Sequence, residues 1–249
     1  MVKHKRALLV GINYRGTRSE LNGCINDVNN VKKFLLTKGY KEKNITILTD
    51  DTEIKPTRAN ILKYMFDLVL SDSKTLYFHY SGHGGSVADL NGDEVDGRDE
   101  TLCPLDYLSC GQIIDDEIRS LLTFLRSEQS LTVVIDACHS NSSLDLKWNL
   151  YERFGGRKLA LVADSHYSDT RGQVVMIGAA RDFETAADAY LNGEFRGALT
   201  DALLECYPKS KTYEQLISNI RLQLKKKKFS QVPSLASGKP FDLKTKLNI

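Results

Sequence analysis

The sequence has few cysteines, and no two of them form a C-x-x-C pair. That spacing is typical of a zinc ribbon or a thioredoxin-type motif, so both classes are excluded. The five cysteines are also too few and too scattered to indicate a disulfide framework in a chain of this size, which favours a reducing compartment. We therefore expect a cytoplasmic protein.

Long apolar runs and an excess of one charge are absent as well. No stretch reaches the roughly 18 apolar residues of a membrane span, and the apolar segment near the amino terminus is too short for a signal peptide. The 34 basic and 32 acidic side chains leave a net charge of +2. We therefore expect neither a nucleic acid nor a membrane as partner, and we interpret the basic run 225–228 as a solvated helix end.

The apolar residues that are present occur in short runs. Hydrophobic residues make up 41% and charged residues 27% of the 249 residues, which suits one α/β domain or two small ones. Runs rich in Val, Leu, Ile and aromatic residues predict buried strands of a parallel sheet. These runs are residues 7–12, 75–80, 131–135, 159–163 and 174–179.

Helical periodicity lies between these runs. Apolar residues share one face in segments 28–35, 61–69 and 118–125. Thr212 and Gln215 fit a capping box ahead of a fourth helix. Because strands and helices alternate, the sequence predicts an α/β fold with helices on both sides of the sheet.

A histidine and a cysteine follow two of the predicted strands. His83 lies among glycines after the strand 75–80, and Cys138 follows the strand 131–135. Functional groups gather beyond the carboxyl ends of strands in open α/β sheets, so we expect these two side chains to meet on one rim. A thiolate there can attack a carbonyl while an imidazole takes and returns the proton. We assign Cys138 as the nucleophile and His83 as its acid–base partner.

Each of these two residues, taken alone, has a simpler interpretation that involves no catalysis. A cysteine at a strand end is usually a small buried hydrophobic residue, and a histidine in a loop is usually polar surface. Their joint placement after two apolar strands favours catalysis. The backbone N–H groups of Gly84 and Cys138 are then candidates for an oxyanion hole.

At these residues the sequence resembles the metacaspases, which belong to the caspase-like clan of cysteine peptidases. The matching segments follow the family's order over about residues 5–243, and the ordered set is far more specific than any one segment. They are residues 21–28 (LNGCINDV), 80–85 (YSGHGG), 93–102 (DEVDGRDETL), 115–117 (DDE), 136–140 (DACHS), 180–189 (ARDFETAADA), 197–200 (GALT) and 231–243.

The resemblance implies a caspase-like α/β/α sandwich with a mostly parallel central sheet flanked by helices. It implies a large-subunit-like part with the catalytic dyad in residues 1–150, a connecting loop in 151–172, and a small-subunit-like part in 173–249, all within one compact domain. It further implies a type I core without the family's prodomain, and a monomer.

The resemblance also implies cleavage of proteins or peptides after Arg or Lys. Asp27 and Asp136 match acidic positions of the family's P1 pocket, and Cys24 and Ser81 match its wall. A basic P1 side chain needs carboxylates to pair with, and Asp136 points to the same side of its strand as Cys138. Taken without the resemblance, Asp27 is more simply a carboxylate that stabilises a helix N-terminus.

Calcium is a further implication, as an activating ion that takes no part in the chemistry. Its hard carboxylate ligands, carried over from the resemblance, are Asp99, Asp115, Asp116 and Asp145. An alternative is an EF-hand loop over 89–100, although Glu94 stands where that loop requires glycine. A third interpretation of 89–100 is a solvated acidic turn.

Two regions depart from the family pattern. Asn141 stands where the family usually has glycine, so the loop beside the nucleophile is expected to differ in geometry. The connection 149–171 is short. If self-cleavage there activates the protein, the uncut chain is a zymogen; the alternative is a loop that stays uncut. Candidate self-cleavage sites within it are Arg153, Arg157, Lys158 and Arg171.

Three functions remain open at this point. The first is a calcium-stimulated cysteine endopeptidase specific for Arg or Lys. The second is a catalytically silent metacaspase-like scaffold that binds proteins through the same cleft, and the third is a calcium-binding regulatory module. The intact Cys138, His83 and acidic pocket favour the enzyme, because a scaffold has no need of all three together and a calcium module has no need of Cys138.

Overall fold

A computed structural model describes residues 4–88, 98–137, 144–153, 158–179, 188–191 and 193–249. The strands are β1 (Lys5–Gly11), β2 (Ile45–Thr49), β3 (Thr75–Ser81), β4 (Gly84–Ala88), β5 (Arg98–Leu102), β6 (Ile113–Ile114), β7 (Ser130–Asp136), β8 (Trp148–Arg153), β9 (Lys158–Ala163), β10 (Gln173–Gly178), β11 (Asp188–Leu191), β12 (Glu194–Gly197) and β13 (Ser234–Ser237). The helices are α1 (Cys24–Thr37), α2 (Arg58–Val69), α3 (Tyr107–Cys110), α4 (Asp115–Leu122), α5 (Ala198–Cys206) and α6 (Tyr213–Lys226).

The centre of the fold is an eight-stranded sheet in the order β2-β1-β3-β7-β10-β13-β8-β9. The five strands from β2 to β10 run parallel, and β13, β8 and β9 continue the sheet in antiparallel pairs. Two short antiparallel sheets, β4-β5-β6 and β11-β12, lie outside it. The predicted mostly parallel α/β sheet is therefore confirmed.

Side chains alternate between the two faces of the sheet along each buried strand, so both faces are apolar and helices cover each of them. Leu8 and Val10 of β1 pack with residues of α2 and α4, whereas Ala7 and Leu9 pack with residues of α1, α5 and α6. Tyr80 belongs to the first cluster and Tyr77 to the second. A sheet buried on both sides explains why its strands appear in the sequence as continuous apolar runs.

Helix starts follow the predicted signals with one difference. Thr57 Oγ1 accepts a hydrogen bond from Asn60 N at the start of α2, and Thr212 Oγ1 accepts one from Gln215 N at the start of α6. The Gln215 side chain accepts from Lys211 N, one residue before the expected capping-box partner. The N-terminal N–H groups are still satisfied, so the cap performs the predicted task.

The connection 149–171 differs from the expected loop. β8 and β9 form an antiparallel hairpin inside it, with Arg153 paired to Lys158, and this hairpin extends one edge of the central sheet. Leu150 is buried, and Leu159 and Leu161 pack partly buried on the same core cluster. The loop prediction was wrong for β8, where the exposed Tyr151 and Glu152 leave no continuous apolar run, whereas β9 matches the strand predicted over 159–163.

The described helices include no candidate membrane span: each is too short or too polar to cross a bilayer.

Candidate active site

His83 lies between β3 and β4 and is half-buried. Its ring packs on that of Tyr14 with 4.8 Å between centroids, and its Nε2 lies 2.8 Å from the backbone oxygen of Ser19. A carbonyl oxygen only accepts hydrogen bonds, so the contact assigns the proton to Nε2. Nδ1 then carries the lone pair, and the ring is oriented to accept a proton there.

Cys138 lies outside the described residues, but the strand that leads to it is well placed. β3 and β7 are neighbours, with Ser81 paired to Asp136, and Gly82 N donates to Asp136 O across the two strand ends. His83 and Cys138 each follow the last of these paired residues by two positions. The parallel register therefore sends both loops off the same rim, as the sequence predicts.

Two buried carboxylates lie beside this rim. Ser81 Oγ donates to Asp27 Oδ2 over 2.7 Å, and Gly197 N lies 3.0 Å from both carboxylate oxygens of Asp27. Thr200 N donates to Asp136 Oδ2 over 2.8 Å. Burial raises the pKa of Asp136, while the N–H groups of Thr200 and Leu199 at the start of α5 oppose the rise.

Gly197 brings the two carboxylates together. A Cβ atom on this residue would lie 2.2 Å from Asp136 Oδ2 and 2.6 Å from Asp27 Oδ2, so both oxygens face the same point. The close approach explains the need for glycine, because any side chain would displace both carboxylates. Residues of the large-subunit-like and small-subunit-like parts thus form one acidic pocket.

The fourth predicted pocket residue, Cys24, has a different environment. It is the buried first residue of α1, and its backbone N–H donates to Asn13 Oδ1 over 3.0 Å. Its side chain belongs to the core cluster that contains Tyr14 and Tyr80. The structure therefore brings Asp27, Ser81 and Asp136 together around Gly197, with Cys24 one helical turn away from Asp27.

Sequence reasoning missed several residues of this site. Gly197 and Thr200 come from a distant segment, and Ser19 acts through its backbone, which no side-chain pattern reveals. Gly84, proposed for the oxyanion hole, begins β4 and pairs with Leu102 of β5. The only sequence signal for Gly197 was its place in the segment GALT, before an apolar helix.

The predicted calcium ligands all lie among the described residues. Asp99 and Asp115 are both buried, and Asp115 accepts hydrogen bonds from Glu100 N over 2.7 Å and Asp116 N over 3.0 Å. Burial raises the pKa of Asp115 to about 8, and the charges of Glu100 and Asp99 add to the rise. Asp145 is buried near Arg119, where its charge favours the guanidinium.

This donor set fits calcium only in part. Hard carboxylate oxygens that repel one another suit a divalent cation. However, the part of the chain that the structure describes contains no group of three His, Cys, Asp or Glu side chains arranged to hold a metal ion. The four carried-over aspartates do not form a single described cluster.

The alternative EF-hand over 89–100 is wrong. Residues 89–97 lie outside the described part of the chain, but the segments on both sides are strands rather than helices. β4 ends at Ala88, β5 begins at Arg98, and the two pair antiparallel. An EF-hand needs a helix before and after its loop.

The self-cleavage candidates occupy three settings. Arg153 ends β8 and Lys158 begins β9, where their backbones pair in the hairpin. Arg157 lies outside the described residues. Arg171 is exposed, next to Thr170, whose N–H donates to Gly238 O.

Comparisons with known proteins place the chain among peptidases. The family model for the metacaspase, peptidase C14 domain, matches residues 5–147. Metacaspase-1 of Eremothecium gossypii is 36% identical and Metacaspase-1 of Coccidioides immitis is 37% identical, each over 96% of this chain. The chain covers 65% and 62% of these two relatives, so it spans less than two thirds of their length. Metacaspase-1A of Aspergillus terreus is 35% identical over 96% of the chain, which covers 72% of that relative.

Solved structures share the fold at lower identity. Protein GSU0716 from Geobacter sulfurreducens superimposes with a TM-score of 0.68 at 23% identity, covering 98% of this chain and 97% of that one. Caspase-1 from Spodoptera frugiperda superimposes with a TM-score of 0.57 at 15% identity, covering 94% and 86%. The caspase-like architecture implied by the sequence is therefore confirmed.

Proposed function

This chain belongs to the metacaspase family of cysteine peptidases, and from that premise we propose that it is an endopeptidase that cleaves after Arg or Lys. The observation that carries the proposal is the pair of buried carboxylates, Asp27 and Asp136, which face one point beside the rim from which His83 and Cys138 emerge. A guanidinium or ammonium group can satisfy both charges there.

The chemistry follows from the orientation of His83. Because Nε2 donates to Ser19 O, Nδ1 is the nitrogen that takes the proton of the Cys138 thiol. The thiolate attacks the scissile carbonyl and forms a tetrahedral oxyanion, for which we propose the N–H groups of Gly84 and Cys138 as donors. The imidazolium then protonates the leaving amine, and water hydrolyses the acyl-enzyme.

The surroundings of Asp27 and Asp136 support a basic rather than an acidic P1 residue. The Ser81 hydroxyl and the Gly197 N–H donate to Asp27, and the Thr200 N–H donates to Asp136. These donors hold the two carboxylates in place, which supports a basic P1 side chain as their partner in the substrate. An acidic P1 side chain would instead be repelled.

A calcium requirement is a separate part of the proposal. We propose that calcium binds near Asp115 and Asp99, with Asp116 and Asp145 as further ligands, and orders the loops next to the site. Support comes from the raised pKa of Asp115, which burial and then the charges of Glu100 and Asp99 bring to about 8. A bound cation would relieve the repulsion among these charges.

Self-cleavage in the connection 149–171 is the third part. Of the four candidates, we propose Arg171 as the first bond to test, because its side chain is exposed. Arg153 and Lys158 lie at paired ends of β8 and β9, and a protease must detach such backbone from its partner strand before cleavage.

The test uses paired fluorogenic peptides that end in Arg and in Asp, each assayed with calcium, with chelator, and with a Cys138→Ala variant. Cleavage of the Arg peptide alone, lost in Cys138→Ala, supports the peptidase and its specificity. Loss in chelator supports the calcium requirement. If neither peptide is cleaved by folded, calcium-loaded protein, the scaffold or calcium-module interpretation replaces the peptidase.

A further inference from the structure

Two tyrosine hydroxyls hold the backbone of His83 from both sides. His83 N donates to Tyr14 Oη over 3.0 Å, and Tyr80 Oη donates to His83 O over 2.8 Å. The hydroxyls lie 3.1 Å apart, and both rings are fully buried. The peptide groups that carry the imidazole are therefore attached to two rigid side chains of the core.

The hydroxyl protons are accounted for. Tyr14 Oη donates to Cys103 O over 2.6 Å, which leaves its lone pairs to accept from His83 N. Tyr80 Oη lies 2.8 Å from His83 O and 2.9 Å from Cys103 O, so its single proton serves either carbonyl. Burial raises the pKa of both phenols well above 10, so both remain donors at any working pH.

Neighbouring residues are adapted to this pair. A Cβ on Gly82 would lie 2.8 Å from Tyr80 Oη and 3.0 Å from Tyr14 Oη, so the glycine before His83 makes room for the hydroxyls. Tyr14 itself has a φ of 51°, a left-handed conformation that costs about 1–3 kcal/mol in a residue other than glycine. Such strain persists where the surroundings demand one position of the side chain.

Tyr14 also supports the second contact of the imidazole. Its ring packs on His83, and the chain that follows it leads to Ser19, whose carbonyl accepts from Nε2. Thr17 N and Oγ1 both donate to Tyr14 O, which closes the turn between them. One residue therefore contacts the His83 ring, its backbone and the segment that sets its tautomer.

We propose that Tyr14 and Tyr80 are positioning residues for His83: their hydroxyl pair sets the ring at the distance and angle from Cys138 that proton transfer requires. The inference rests on the proposed function, because it assigns the two tyrosines a role in the same dyad. In this role the two tyrosines act through the histidine.

The experiment compares Tyr14→Phe and Tyr80→Phe, which keep the rings and remove the hydroxyls. The matched control is Tyr77→Phe, since Tyr77 is equally buried on the opposite face of β3 and its hydroxyl has no hydrogen-bond partner among the described residues. Two readouts are measured: kcat and KM on the Arg peptide, and the pH dependence of Cys138 alkylation by iodoacetamide. Cys110, the exposed cysteine among those described, is an internal reference for alkylation.

The proposal predicts a fall in kcat of about 10- to 100-fold in both variants with KM nearly unchanged, because misplacement of a catalytic group by about 1 Å has effects of that size. The pH profile of Cys138 alkylation should move towards that of Cys110, while Tyr77→Phe matches the parent protein. In a His83→Ala background, Tyr14→Phe should have no further effect on alkylation, since its action requires the histidine.

Folded Tyr14→Phe and Tyr80→Phe proteins with parental kcat and alkylation profile would overturn the proposal. If Tyr14→Phe does not fold, as judged by circular dichroism, Tyr80→Phe decides alone. A different result concerns the proposed function: if Cys138 of the parent protein reacts like Cys110 and His83→Ala changes nothing, the dyad itself is wrong, and the positioning proposal falls with it.

Discussion

Two groups of buried carboxylates in this fold are held in different ways. Asp27 and Asp136 receive hydrogen bonds from Ser81, Gly197 and Thr200, which approach from two distant parts of the chain. Asp115 receives two backbone N–H groups as well, but it faces the charges of Glu100 and Asp99. Burial raises the pKa of Asp136 and of Asp115 and hydrogen bonds oppose the rise in both, but at Asp115 the charges of two neighbouring carboxylates, Glu100 and Asp99, add to it.

The difference shows what each group is prepared to bind. Backbone N–H groups hold the carboxylates at Gly197 in place, which suits the basic P1 side chain that we propose for this site. Carboxylates that repel one another favour either a proton or a metal ion. Both groups are buried and accept backbone hydrogen bonds, so neither property alone distinguishes the two roles that we propose for them.

The largest expected effect comes from removing charge in the first group. Asp27→Asn and Asp136→Asn keep the shape and the acceptor oxygen, yet each removes a charge-assisted contact to P1. We expect kcat/KM for the Arg peptide to fall by about 100-fold in each, the size of one such contact. Unchanged Cys138 alkylation would show an intact dyad, and parental kcat/KM in both variants would refute the acidic pocket.

Gly197→Ala should break the same group sterically. The new methyl would overlap both carboxylates, and we expect the free energy of unfolding to fall by about 1–3 kcal/mol, as for other overpacked sites. Urea denaturation measures the loss, and the Arg-peptide assay should show a higher KM because the pocket is displaced. Full stability together with an unchanged KM would mean that the two carboxylates do not meet at Gly197.

His79, a buried histidine on the same strand as Ser81, should respond to pH in the opposite direction to the carboxylate of Asp136. His79 lies two residues before Ser81 on the same side of β3, is fully buried, and both ring nitrogens lack a hydrogen-bond partner within the described ranges. Burial lowers the pKa of His79 to about 3. The unfolded chain therefore binds a proton below about pH 6.5 that the folded chain refuses, so His79 reduces stability as the pH falls.

Urea denaturation from pH 7 to pH 5 tests this sign. The parent protein should lose about 2 kcal/mol more than a His79→Leu variant between pH 6.5 and pH 5, because each pH unit is worth about 1.4 kcal/mol per proton. Asp136 works in the other direction, since its raised pKa favours the folded state as acid is added. Equal pH slopes in the two proteins would show that His79 is protonated in the fold.

The smallest expected effect lies in the second group. Asp115→Asn removes one of the repelling charges, so in chelator at pH 8 the midpoint of thermal unfolding should rise by about 2–4 °C for each kcal/mol gained. Addition of calcium should raise the midpoint of the parent protein but not that of the variant. A variant that responds to calcium like the parent would place the metal elsewhere.

Much of this arrangement could be predicted from local sequence. The apolar runs that became β1, β3, β7 and β10 were recognised because both faces of the sheet are buried. The run 159–163 likewise became β9, whereas β8 was missed because its exposed Tyr151 and Glu152 interrupt the apolar pattern. The dyad was predicted from two loops that follow neighbouring strands, and the resemblance to metacaspases supplied Asp27, Ser81 and Asp136.

The sequence by itself determined the candidates for the catalytic dyad and the strands that precede them, because strand periodicity and loop composition are local properties. Only the tertiary structure decided how the charged groups are used. Gly197 meets Asp27 and Asp136 across the junction of two chain segments, and the hydroxyls of Tyr14 and Tyr80 meet at His83, one from the segment after β1 and one from β3. Hydrogen bonds between residues far apart in the chain leave no periodic signal, because their geometry exists only once the sheet has formed.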